Sequence, residues 1–185
     1  RVSATPETIK KLKSLGCEIY IEKSAGELSG FNDFSYQENG GKIFAENEIE
    51  PWNKADVIFC IQCPNDEKLK RLKEGALIVG LLNPFGNAHL AQLLSNQKLS
   101  AISLELLPRI SRAQSSDVLS SQANIAGYKS VLLAASELDR YFPMLMTAAG
   151  TVQPAKVVVL GGGVAGLQAV ATAKRLGALV FVSDI

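Results

Sequence analysis

The 185-residue sequence predicts an α/β fold of two parallel-sheet units joined by a helical linker, with the second unit truncated. Three observations carry this prediction. Short apolar runs alternate with helical patterns over the first hundred residues, the order that builds a parallel sheet. A long helix-compatible stretch, from about Leu119 to Leu138, then breaks the alternation. Beyond it, Lys156-Val157-Val158-Val159-Leu160 runs into Gly161-Gly162-Gly163-Val164-Ala165-Gly166, followed by another helical pattern and another apolar run. A doubly wound unit needs more strands than those that follow the glycines, so a piece of a longer polypeptide is expected.

The elements can be justified in order. Thr5-Pro6-Glu7 offers a capping hydroxyl, a proline at the first helical position and an acid in the first turn. Ile9, Leu12 and Leu15 continue that helix, and Gly16 ends it. Glu18 to Glu22 reads as a short strand. The glycine-interrupted stretch from Ser24 to Gly41 has room for one short helix, anchored by Phe31, Phe34 and Tyr36. Strands are expected at Asp56–Gln62, Ala76–Leu82 and Ser100–Leu106, with helices at Asn65–Lys73 and Ala88–Gln97 between them. A polar loop, Arg109 to Asp117, separates the last strand from the long helix, and Phe142 to Pro154 reads as a connection. The boundaries expected are an N-terminal α/β unit over 1–118, a linker helix over 119–140, and the start of a Rossmann-like unit over 141–185.

Composition narrows the function. Hydrophobic residues make up 47% and charged residues 20%, ordinary values for a chain that buries a core. Net charge is +1 and the basic residues are scattered, which argues against a nucleic-acid face or a polybasic membrane patch. No apolar run approaches the roughly 18 residues that cross a bilayer. No signal-peptide pattern is visible, and three cysteines fit a reducing compartment better than a disulfide framework.

The glycine segment carries specific chemistry. Its G-x-G-x-x-G spacing lies between a strand and a helix, and Asp184 follows the next apolar run, Ala178 to Val182. That is the dinucleotide-binding fingerprint. Gly161 permits a tight turn, Gly163 lets a pyrophosphate approach the backbone, and Gly166 lets the helix pack on the strand. Val164 opens a helix whose N-terminus offers N–H groups to phosphate. Asp184 would accept hydrogen bonds from the ribose hydroxyls and repel a 2′-phosphate, which favours NAD(H) over NADP(H).

The polar loop is the second informative segment. Arg109, Ser111, Arg112, Gln114, Asp117 and Ser120 follow a buried strand, at the end where α/β sheets bind ligands. A nicotinamide carboxamide needs a donor and an acceptor, and Gln114, Asp117 and the hydroxyls offer both. The competing interpretation is a simple helix cap, with Asp117 or Ser116 at the N-cap.

Pro108-Arg109-Ile110-Ser111-Arg112-Ala113-Gln114, then Asp117 and Ser120-Ser121-Gln122-Ala123-Asn124-Ile125-Ala126-Gly127-Tyr128, resembles the NAD(H)-binding component of proton-translocating nicotinamide nucleotide transhydrogenases. Arg1-Val2, Thr5-Pro6-Glu7-Thr8, Met144 to Thr151 and Pro154-Ala155-Lys156 match the same family. The resemblance implies direct hydride transfer from NADH to NADP⁺ held by a separate component, coupled by a membrane component to proton movement. It implies that Arg109, Gln114 and Asp117 serve the reacting ring, with Ser120 beside them and Gln114 reaching toward the partner nucleotide. It further implies a homodimer held to the cytoplasmic face of an inner membrane, or to the matrix face in mitochondria, by its partner components.

Other signals compete. Alanine dehydrogenases are similar in fold and sequence, and Arg1 matches the arginine of their substrate site. Cys60 falls where their lysine should be and Asn83 where their histidine should be, which argues against alanine oxidation. An idle nucleotide-binding module is a third possibility. Cys60-Ile61-Gln62-Cys63 has the thioredoxin spacing, although small apolar packing explains it as well. His89 is expected to be solvated, as is the helix face with Lys68, Lys70, Arg71 and Lys73. Trp52, Phe59, Tyr141 and the segment Phe142-Pro143-Met144-Leu145-Met146 are expected mainly to pack; for the last, a contact with a partner subunit is the alternative. No metal-ligand pattern is present.

Overall fold

Parallel strands with helices between them form each half of the chain, seen over residues 1–185 in a computed structural model. Two units result, Arg1–Pro108 and Arg109–Ile185.

In the first unit, Thr5 Oγ1 accepts the Thr8 N–H and starts α1 (Pro6–Ser14), which buries Ile9. Strand β1 (Tyr20–Glu22) pairs in parallel with β2 (Lys42–Phe44) across α2 (Asp33–Glu38), which Asn32 caps. After α3 (Glu50–Lys54) comes a three-stranded parallel sheet in the order β3 (Val57–Gln62), β4 (Leu77–Leu81), β5 (Ser100–Ser103). Its crossovers contain α4 (Asp66–Lys70) and α5 (Ala88–Asn96), capped by Asn65 and Asn87. Leu69 and Ile78 are fully buried at its centre, each contributing roughly 1.5–3 kcal/mol of transfer free energy.

In the second unit, residues Ser111–Ser116 wind as a 3-10 helix into α6 (Val118–Glu137). A hairpin of β6 (Leu145–Thr147) and β7 (Gly150–Val152) follows. Then β8 (Lys156–Leu160), α7 (Val164–Arg175) and β9 (Leu179–Ser183) form one β-α-β unit with the two strands parallel. Helix α6 packs on α7, with Val131, Phe142, Ala155, Val159, Ala169 and Ala173 as the shared core. Val158 and Leu160 are 65% and 82% exposed, so part of this small sheet is uncovered.

Several expectations need correction. The strand read to Leu106 stops at Ser103 and tightens into a 3-10 turn, because Glu105 folds back to accept the Leu82 and Asn83 N–H groups. The helix read to Lys73 ends at Lys70, where Arg71 N–H and Leu72 N–H turn back onto the carbonyls of Lys68 and Leu69. Phe34, one of the expected anchors, is exposed, while Tyr36 is buried as expected, its hydroxyl donating to the Ala4 carbonyl. Phe59 and Tyr141 are also exposed, whereas Trp52 is buried. Lys68 is half-buried rather than solvated: it bonds Glu22 at 2.7 Å and lies over the Trp52 ring. In the sulfur-rich segment only Phe142 is buried, while Met144 and Met146 face solvent.

Candidate functional site

The glycine turn has a distinct constraint at each of its glycines. Gly161 has φ +97°, left-handed backbone that a side chain rarely adopts. A Cβ on Gly163 would meet nothing within 4 Å, so the backbone there is open to an approaching group. A Cβ on Gly166 would lie 1.8 Å from the Gly161 carbonyl oxygen, so only glycine lets α7 seat against the turn. Gly163 is the N-cap of α7 and no side chain caps that end, which leaves the first N–H groups for an anion. Val164 is half exposed beside them.

Asp184 lies at the end of β9 and reaches back to this turn. Its Oδ2 accepts the Gly162 N–H at 2.6 Å and its Oδ1 accepts the Ile185 N–H at 2.8 Å. These two donors, Gly162 first, hold its carboxyl below the usual carboxylate range, so it is anionic at neutral pH. Glycine turn, helix end and acid thus form one cluster, in the relation their spacing predicts.

The polar segment is built by its helix. Asp117 is the N-cap of α6, as expected: Oδ1 accepts the Ser120 N–H at 2.9 Å and Oδ2 the Ser120 hydroxyl at 2.7 Å. Those bonds, with the nearby Arg109 guanidinium, lower its pKa. Arg109, Ser111, Arg112 and Gln114 are exposed around the 3-10 turn, while Asp117 and Ser120 are half-buried. The capping and ligand-binding interpretations are therefore compatible, because the cap uses one lone pair of each Asp117 oxygen and leaves the exposed side chains available.

Packing joins the two segments within the second unit. A Cβ on Gly127 of α6 would lie 2.1 Å from the Ala165 carbonyl oxygen in the first turn of α7. Three residues earlier, Asn124 Nδ2 donates to Gln168 Oε1 at 3.2 Å, and Gln168 Nε2 donates to Thr172 Oγ1 at 3.2 Å. Sequence reading gave none of these three residues a role, since a helix–helix polar link has no short motif.

The first unit has different features. A groove of about 390 Å³ lies between the β1 and β3 edges, lined by Arg1, Trp52, Cys60 and Lys68 among others. The Trp52 indole N–H is buried without a partner. Burial, helped by Cys63 and Glu105, pushes the Cys60 thiol up to about 11, and burial also raises Cys63, so neither is a ready thiolate. Asn83 has φ +50°, and its N–H donates to Glu105. Burial alone would raise the Glu105 pKa, but the Ser103 hydroxyl and the backbone N–H groups, those of Leu82 and Asn83 among them, outweigh it and hold the carboxyl low. His89 is exposed and bonds Asp66 at 2.8 Å. No group of three or more His, Cys, Asp or Glu side chains could hold a metal ion, and no helix is long and apolar enough to cross a membrane.

The chain is similar to known proteins along its whole length. Residues 1–126 match the family model for the alanine dehydrogenase/PNT N-terminal domain, and residues 130–185 match that for the C-terminal domain. An NAD(P) transhydrogenase alpha-subunit polypeptide of Rhodospirillum rubrum is 45% identical over the whole chain, which covers 49% of that protein. A solved transhydrogenase from Sinorhizobium meliloti superposes with a TM-score of 0.93 at 45% identity, the chain covering 55% of it. An L-alanine dehydrogenase structure superposes at 0.83 with 28% identity, the chain covering 51% of it. The chain therefore spans about half the length of these relatives.

Proposed function

Since the chain belongs to the alanine dehydrogenase/PNT family, we propose that it is the NAD(H)-binding portion of a transhydrogenase alpha subunit. The complete enzyme passes hydride between NADH and an NADP⁺ held by a partner component, coupled to proton movement through a membrane-spanning component. The subunit acts as a homodimer on the cytoplasmic face of the inner membrane, or the matrix face in mitochondria. The observation that carries this proposal is the glycine turn: left-handed at Gly161, open at Gly163, pressed on itself at Gly166, and gripped from behind by Asp184.

Each proposed role follows from what the residue offers. Gly161, Gly163, Val164 and Gly166 present the end of α7 to the pyrophosphate. Asp184 keeps a lone pair on each oxygen for a ribose hydroxyl, and its charge disfavours a 2′-phosphate. Gln114 supplies both a donor and an acceptor to the nicotinamide carboxamide and faces the partner nucleotide. Arg109, Ser111, Arg112, Asp117 and Ser120 orient the ring around it. NADH, when bound, supplies the hydride itself. The side chains fix distance and orientation and need no acid, base or covalent nucleophile.

Two observations favour this over alanine oxidation. By the sequence resemblance, Cys60 and Asn83 fall where alanine dehydrogenases have a lysine and a histidine, and neither a thiol pushed up by burial nor a carboxamide serves as a proton carrier at neutral pH. Identity to the transhydrogenase structure is 45% against 28% to the alanine dehydrogenase. The test is titration of the complete subunit with NADH and NADPH, followed by an assay for alanine-dependent NADH formation. Preference for NADH with no alanine oxidation is expected; NADH formation from alanine would overturn the assignment.

A further inference from the structure

The geometry points to Gly127 as a positioning residue that sets the distance between the two ends of the nucleotide site; the inference rests on the dinucleotide assignment above. Glycine inside a helix costs about 1 kcal/mol relative to alanine, so its presence in the middle of a 20-residue helix asks for a reason. The reason is contact between backbones. A Cβ at this position would lie 2.1 Å from the Ala165 carbonyl oxygen, 2.9 Å from its carbon and 3.1 Å from its Cα. The next residue of α7, Gly166, is in turn pressed on the Gly161 carbonyl. Helix α6, the first turn of α7 and the glycine turn therefore form a stack of three backbones with no side chain between them.

Helix α6 carries the polar segment directly, because Asp117 is its N-cap. Nine residues of helix, about 14 Å, separate Val118 from the contact at Gly127. A change in how α6 seats on α7 is thus passed along a rigid rod to Gln114 and Arg109. A second link holds the same crossing: Asn124 donates to Gln168, which donates to Thr172, itself 5% exposed. Because α7 is fixed against β8 and the turn by Gly166, the element that yields to a side chain at position 127 is α6, together with the polar segment.

The test compares two ligands on the complete subunit by calorimetric titration. NADH engages both the turn and the polar segment, whereas ADP-ribose has no nicotinamide and engages only the turn and Asp184. For Gly127→Ala, NADH binding weakens roughly tenfold, as a displacement of an ångström or so at a positioned group allows, while ADP-ribose binding is unchanged. Asn124→Ala, which removes one hydrogen bond and no packing, gives the same selective loss at smaller size; it decides the matter if Gly127→Ala does not fold. Equal weakening of both ligands, or of neither, would overturn the inference by reducing Gly127 to ordinary packing. A wild-type subunit that binds neither ligand overturns the dinucleotide assignment itself, and this inference with it.

Discussion

The same substitution, glycine to alanine, should have opposite consequences three residues apart in the turn. At Gly166 the new methyl would sit 1.8 Å from the Gly161 carbonyl oxygen and 3.4 Å from a Val159 methyl. Relief to an ordinary contact of about 3.4 Å needs α7 to retreat by roughly 1.6 Å, an overpacking that costs at the upper end of about 1–3 kcal/mol. Better helix propensity returns about 1 kcal/mol, leaving a net loss near 2 kcal/mol. In a chain of this size a loss near 2 kcal/mol lowers the melting temperature by about 4–8 °C. At Gly163 the methyl would meet nothing within 4 Å and φ is −68°, so the fold tolerates it at a cost below about 1 kcal/mol. That methyl would instead occupy the space a pyrophosphate needs. Scanning calorimetry and NADH titration on both variants separate the effects. Undiminished NADH affinity in Gly163→Ala would refute the proposed phosphate approach, and an unchanged melting temperature in Gly166→Ala would refute the packing.

Three further outcomes are expected. Asp184→Asn removes the charge that disfavours a 2′-phosphate and weakens the bond to the Gly162 N–H; NADPH affinity should rise relative to NADH, as competitive titration would measure, and a preference as strong as wild type counts against the ribose contact. Gln114→Ala should slow hydride transfer in stopped-flow assays while leaving equilibrium NADH binding much less changed; an unaltered rate removes Gln114 from the reacting ring. Asp117 has a lowered pKa in the folded chain, so its cap contributes fully above the unfolded value of about 3.9 and is lost as pH falls through the folded value. Circular dichroism from pH 6 downward should show α6 more acid-sensitive in wild type than in Asp117→Asn, which has less to lose; parallel acid transitions would deny the cap that role.

Much of this structure was legible in the sequence, for physical reasons that can be named. Thr5, Pro6 and Glu7 announce α1 because capping chemistry is local. The strand, glycine turn and helix at 156–175 were legible because each glycine answers a separate steric demand. Strands β2, β6 and β7 were not legible because each has three residues near glycines that read as turns, whereas β1, equally short, lies within the longer Glu18–Glu22 pattern. The short helix α3 was missed because no side chain caps its start. Lys68 was misjudged because its burial depends on Glu22 and Trp52, distant in sequence. The polar segment shows the limit most clearly. Its residue types and its cap could be read, but the link from Asn124 to Gln168 exists only once α6 lies on α7.

The depressed acidity of the Cys60-x-x-Cys63 pair also has a practical side. Both sulfurs are withdrawn among apolar neighbours in the first unit, whereas Cys17 stands in solvent just past α1. A maleimide dye applied at neutral pH should therefore attach at one place without any engineered replacement. That supplies a ready optical reporter on the first unit, far in sequence from every residue assigned to the nucleotide.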